Sequence, residues 1–101
     1  MQPLISRADF IFTIGYDGNT AVVDGRAKRR YAGYSTEQLA EEGLFKSALS
    51  SALYEGNGDA LERVLAVYNK SADQKLRTVE HLKQTFGTFE VPDGIVKTTV
   101  C

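Results

Sequence analysis

Cysteine is all but missing. Cys101 is the only one, so no disulfide can form within the chain, and zinc sites built from several cysteines are excluded. A reducing cytoplasm is therefore the expected location. Cys101 stands last, where a prenylation box cannot have it, and an ordinary terminal thiol is the expectation. Histidine is equally scarce: His81 stands alone beside Glu80. General acid–base work needs a partner within hydrogen-bond reach, and neighbours on a helix point about 100° apart. His81 is expected on the surface without a catalytic role. Long apolar runs are missing too. None approaches the ~20 residues of a membrane span, and "MQPLISRADF" has no secretory apolar stretch. No membrane association is expected.

Cofactor motifs are also lacking. Gly15, Gly18 and Gly25 are too widely spaced for a phosphate loop, and no Gly-Lys-Ser/Thr follows them. Asp17, Asn19 and Asp24 offer oxygen donors. Counted as a calcium loop from Asp17, however, the ligand position five falls on Ala21 and the glycine position six on Val22. Turn chemistry explains these residues better. No cofactor and no metal is expected.

What is present suits one folded domain. The chain has 101 residues, 43% of them hydrophobic and 25% charged, which is enough for one modest core and unlike a disordered chain. The net charge of −1 is uneven. Residues 1–34 carry five Lys/Arg against three Asp, and residues 35–70 carry three against six Asp/Glu. Any attraction to nucleic acid would have to be local.

"DFIFTIGYDGNTAVVDG" reads as a β-hairpin. Phe10, Phe12, Ile14 and Tyr16 alternate with Ile11, Thr13 and Gly15 at strand period. Asp17-Gly18 suits a type I′ turn, pairing Ile14 with Ala21 and Phe12 with Val23, with Phe12, Ile14 and Val23 facing the core. A turn at Gly18-Asn19 would instead set Ile14 against Val23 and Gly15 against Val22. Four helices are expected next. Ser35 and Gln38 match a capping box, and Gly43 suits a left-handed stop. Leu44 or Phe45, Ala48, Leu49, Ala52 and Leu53 mark a second helix. A third, capped by Asp59, carries Leu61, Val64, Leu65 and Tyr68, and a fourth, capped by Asp73, carries Leu76, Val79, Leu82 and Phe86. "TFEVPDGIVKTTV" reads as a second hairpin turning at Pro92-Asp93-Gly94. The expected class is α+β: an N-terminal hairpin, about four helices and a C-terminal hairpin, over residues 1–101 as a single domain. The two hairpins could form one antiparallel sheet.

The stretch "VVDGRAKRRYAGYS" holds the densest charge. Arg26, Lys28, Arg29 and Arg30 could neutralise phosphates while Tyr31 and Tyr34 stack on bases. Read as a strand end, however, alternation puts Arg26, Lys28 and Arg30 on one face and Arg29 on the other. The acidic Glu37, Glu41 and Glu42 lie nearby in sequence and could pair with them. A charged strand end that keeps a sheet edge soluble is the favoured reading.

"STEQLAEEGLFKSALSSALYEG" resembles a helix-turn-helix, with a capped first helix, Leu39-Ala40, a glycine turn and a second helix. The resemblance implies DNA reading by Lys46, Ser47, Ser50 and Ser51, set outward on the second helix. The spacing departs from the pattern: Gly43 is three residues after Ala40, not four. An ordinary helical hairpin is the better explanation. The favoured function is then a small non-catalytic domain acting through protein–protein contacts or self-association. If helices do not cover both sheet faces, Phe10, Phe12 or Phe89 could supply such a contact. Nucleic-acid binding through residues 26–34 is the alternative. An enzyme using carboxylates such as Asp17 and Asp24 comes third.

Overall fold

The computed structural model describes residues 5–92 and 94–101. Its elements in order are α1 (Arg7–Ile11), β1 (Thr13–Asp17), β2 (Thr20–Val23), α2 (Gly25–Tyr31), α3 (Thr36–Glu41), α4 (Phe45–Glu55), α5 (Gly58–Ser71), α6 (Val79–Phe86) and β3 (Lys97–Val100). This is an α+β fold with more helices than the apolar periodicity suggests. Both extra helices begin at caps. Ser6 accepts from the Asp9 N–H, and Asp24 accepts from the Arg26 and Ala27 N–H groups at 3.1 and 3.2 Å. These side chains satisfy orphan donors of a first turn. They turn two stretches that read as strand into helix.

The N-terminal hairpin exists, but it starts at Thr13 rather than Phe10. Phe10, Ile11 and Phe12 are all buried, as a helix end allows and a one-sided strand does not. The turn is Gly18-Asn19. Gly18 has φ +59 while Asn19 is not left-handed, which is the type II′ pattern and not the expected I′. Gly15 therefore pairs with Val22, yet a bulge at Ile14 sets Thr13 opposite Val23. The bulge expels Ile14 from the core, where it was expected, and leaves it 62% exposed.

The C-terminal hairpin does not form among the described residues, and the sheet is not purely antiparallel. Lys97–Val100 pairs in parallel with β2, giving the order β1-β2-β3. Residues 88–92 and 94–96 form no strand. Asp93 of the expected turn, and residues 1–4 of the N-terminal reading, lie outside the described residues. The end of β3 approaches α2 so closely that a Cβ on Gly25 would stand 2.5 Å from Val100 Cγ1 and 2.8 Å from the Cys101 carbonyl oxygen.

The remaining helices largely keep their expected faces. Ser35 and Gln38 form the capping box. Gly43, at φ +80, ends α3 with the Leu44 N–H bonded to the Leu39 carbonyl and the Gly43 N–H to that of Ala40, a Schellman closure. Caps move elsewhere. Asn57, not Asp59, caps α5, and Thr78, not Asp73, caps α6. Leu76 therefore precedes α6 in an irregular segment. The Asn69 side chain holds it there, donating to its carbonyl at 2.8 Å and accepting from its N–H at 2.9 Å.

Helix α4 is the centre of the molecule. It packs against α1, α3 and α5, and residues 48–52 are buried without interruption. Ala48, Ser50, Ser51 and Ala52 are small enough for neighbours to approach from several sides. Leu39, Leu49 and Leu82 are fully buried around it, and each such side chain contributes about 1.5–3 kcal/mol of burial. A second cluster, Ile5, Phe10, Ala21 and Ile95, joins sheet to helices under Tyr54, whose hydroxyl donates to the Ile5 carbonyl at 2.8 Å.

Ser51 is fully buried, and its hydroxyl is central to a polar chain. Arg7 Nη2 donates to Ser51 Oγ at 2.8 Å and to the Tyr34 carbonyl at 2.8 Å. Ser51 Oγ and Thr36 Oγ1 are 2.7 Å apart, and Thr36 donates to Glu55 Oε1 at 2.6 Å. Ser51→Ala should cost about 1–3 kcal/mol, because Arg7 and Thr36 each lose one hydrogen-bond partner there. Urea unfolding checks this, and an unchanged midpoint would show that the chain contributes nothing to stability.

Candidate functional site

The basic segment is a helix, and this reverses the alternation argument. At about 100° per residue, Arg26, Arg29 and Arg30 fall within one arc of α2 while Lys28 points elsewhere. All three arginines are exposed. Lys28 instead bonds Asp9 at 2.6 Å and ties α2 to α1. The glutamates do not take the arginines. Glu37 pairs with Arg63 at 3.3 Å, and no salt bridge to Arg26, Arg29 or Arg30 occurs among the described residues. The tyrosines are engaged in packing. Tyr31 and Tyr34 meet edge to face at 5.1 Å, Tyr31 lies 6.5 Å from Phe12, and both pack against the main core. Arg30 sits 5.3 Å over the Tyr31 ring. The face is a cationic patch without free stacking rings.

Other candidates find structural places. Asp24 is a helix cap, and His81 is exposed. Ser50 and Ser51 are buried, not outward, so α4 cannot offer a DNA-reading face of the kind a helix-turn-helix needs. Among the described residues no three His, Cys, Asp or Glu side chains gather as metal ligands.

A different place gathers exposed apolar groups. A cleft of about 450 Å³ runs between β1, the first turns of α4 and residues 87–90. This size is typical of ligand sites. Its elements explain it. Among the described residues the sheet ends at β1, whose outer edge pairs with no strand. The bulge turns Ile14 outward, and Gly87, at φ +64, ends α6 and sends the chain past β1. Tyr16 and Phe89, both cleft residues, are 49% and 52% exposed. The Tyr16 ring sits opposite Ala21 in the sheet, and partial burial raises its phenol above the ordinary 10.0, partly offset by a hydrogen bond with Thr13.

The helix wall of the cleft carries Lys46 and Ser50, one turn apart on the same face of α4. Lys46 is exposed and forms no ion pair among the described residues. Ser50 is only 3% exposed, and no buried side-chain polar atom among the described residues lacks a partner. Glu90 stands on the connector wall. Sequence reasoning named Phe89 as a candidate contact and Lys46 and Ser50 for another reason, and it missed Ile14 and Tyr16 as a surface, because they had been assigned to a regular strand.

No protein-family model, curated protein or solved structure matches this chain.

The Tyr16 phenol gives a direct reading of the cleft. Its raised pKa means that the folded state prefers the neutral ring. The stability it contributes is present below pH 10.0 and is lost as pH rises toward the folded-state value. An ultraviolet tyrosinate titration should show one component above 10.0 that Tyr16→Phe removes. A component lost at or below 10.0 would contradict the burial of this ring.

Proposed function

We propose that this protein is a non-catalytic binding domain of the reducing cytoplasm that acts through protein–protein contacts. Its docking site is the cleft beside β1, and its occupant is an extended segment of a partner chain. One observation carries the reading: Ile14, Tyr16 and Phe89, three large apolar side chains, stay exposed around one open sheet edge. Contiguous exposed apolar surface of this kind marks interaction sites. The hairpin register adds backbone chemistry. Asp17 and Thr20 flank the turn as the bonded pair, so alternation aims the Tyr16 N–H and C=O away from β2. An added strand could use both groups while its side chains fill the cleft.

Selection from a random peptide library displayed on phage tests this. Selected peptides should carry a large apolar residue and shift the amide resonances of residues 13–17 and 88–90. Affinity should fall about tenfold or more in Tyr16→Ala or Phe89→Ser, the loss expected of a central aromatic anchor. Peptides that shift only other regions would defeat the reading. Light scattering separates the occupants: a monomer is expected for a partner chain, and a dimer broken by Tyr16→Lys would point to self-association.

A second reading has its own observation, the unpaired arc of Arg26, Arg29 and Arg30. It supports contact with a nucleic-acid backbone. Three phosphate contacts predict a slope of about −2 to −3 in log K against log salt. Fluorescence anisotropy with labelled single-stranded DNA and RNA measures it, and Arg29→Ala with Arg30→Ala should flatten the slope by about two. No binding at low salt would end this reading.

A further inference from the structure

Three consecutive residues of β1 would meet an added strand, and each offers it something different. Tyr16 pairs with Ala21, which is fully buried, so both point to the cleft side of the sheet. Gly15 pairs with Val22 and Asp17 with Thr20, so these face the opposite side. Asp17 is exposed and joins no ion pair among the described residues. Its row continues through Thr20 to Lys97 on β3. One row thus carries a carboxylate at the β1 edge and an ammonium at the β3 edge. Gly15 leaves a gap beside Asp17: a Cβ built on it would meet nothing within 4 Å. Glycine inside a strand often marks close approach of another backbone.

We infer that the segment docked beside β1 runs antiparallel to it and reads, from N- to C-terminus, basic–apolar–aromatic. The inference rests on the docking reading above and names the sequence class of its partner. Direction comes from the backbone. Between the Gly18-Asn19 turn and the bulge at Ile14, Tyr16 is the residue that aims both its N–H and its C=O outward. An antiparallel partner makes both bonds through one residue. A parallel partner must order the residues on either side to make the same two. Each residue fixed costs conformational entropy, so the antiparallel arrangement is favoured.

Side chains follow from that register. The residue opposite Tyr16 shares its face and sends an apolar side chain into the cleft lined by Tyr16 and Phe89. The residue before it stands opposite Asp17, where a Lys or Arg makes a cross-strand charge pair. The residue after it stands opposite Gly15, where an aromatic ring can lie over the glycine and shield its backbone. An acid opposite Asp17 is repelled, and Lys97 repels the same basic segment from the β3 edge.

Acetylated and amidated peptides of the frame Ser-Thr-Xaa-Leu-Zaa-Thr-Ser test this by calorimetry. The Arg-Leu-Tyr peptide should bind about fivefold tighter than Tyr-Leu-Arg, which has the same composition in the opposite order. Replacing its Arg by Gln should weaken binding about threefold, the scale of an exposed charge pair, and Glu should weaken it further. Asp17→Asn should bring the Arg and Gln peptides to equal affinity, and Asp17→Lys should favour Glu over Arg. A nitroxide on the peptide's N-terminus should broaden the amide resonances of residues 17–19 most, and one on its C-terminus those of residues 12–14.

Tyr-Leu-Arg binding as tightly as Arg-Leu-Tyr, or the opposite broadening, would overturn the direction. Equal affinities of the Arg, Gln and Glu peptides, with shifts at residues 13–17, would overturn the charge pairing and leave docking standing. Failure of this frame to bind at millimolar concentration, where phage-selected peptides do bind beside β1, would overturn the pattern alone. Failure of both sets would overturn docking and pattern together.

Discussion

The hydrogen bond from Arg7 to Ser51 is the contact around which the molecule is arranged. It joins α1 to the middle of α4, and Arg7 also bonds the Tyr34 carbonyl ahead of α3. From Ser51 the chain of donors runs to Thr36 and ends on the Glu55 carboxylate. Every hydroxyl in it can donate once and accept once. The direction is set by a guanidinium that only donates and a carboxylate that only accepts. Half-made buried networks are costly, so this one specifies position as well as contributing stability. It fixes how far α1 and α3 slide along α4. Sliding matters here because small residues give α4 few shape features of its own.

A helix enclosed in this way leaves little of itself outside. The exposed part of α4 is its first turn and its last. The first turn meets the space where the sheet stops at β1. The cleft lies where the start of α4, the edge strand β1 and the segment after Gly87 come together. The unfilled wedge is lined by Tyr16, Phe89, Lys46 and the buried Ser50. Nothing there competes with the core, so the site can carry groups that serve no stabilising end.

How much of this was legible depended on range. Signals confined to a few residues read well, such as Ser35 with Gln38, Gly43, and the apolar spacing of α5. Asp24-Gly25 shows how a local signal can be shared. Asp before Gly suits a hairpin turn and a helix cap equally, and only Gly25's tight fit under Val100 and Cys101 shows why a small residue belongs there. Burial on three sides misled twice. Phe10, Ile11 and Phe12 looked alternating because every neighbour was apolar or nearly so, and Ser50 and Ser51 looked outward because serine usually is. The parallel pairing of β3 with β2 was beyond reach, since it joins residues 20–23 to 97–100 with no turn between them. The cleft was half visible. The sequence placed Phe89 near a sheet whose cover was uncertain, but the one local hint of a bulge at Ile14 is Gly15 inside "TIGYD", a signal a strand glycine shares with other causes.

The sheet has two free edges, and their chemistry differs in a way that selects one. β3 begins with Lys97 and continues with Thr98 and Thr99, all exposed. A lysine on an edge is a standard deterrent to added strands. Its far end is held to the end of β2 by the Cys101 N–H bonded to the Val23 carbonyl, and it meets α2 in the close contact with Gly25. β1 has no charge before Asp17, and Tyr16 on it is half exposed. Its one safeguard is the bulge, which shortens the regular ladder to the residues nearest the turn. A short ladder cannot hold an arbitrary strand by backbone bonds alone. Side chains must then supply the rest of the affinity, and they would meet an apolar slot with a lone cation on one wall and an anion on the other. On the docking reading proposed above, an edge built this way would resist indiscriminate pairing and select a segment whose charges match the two walls.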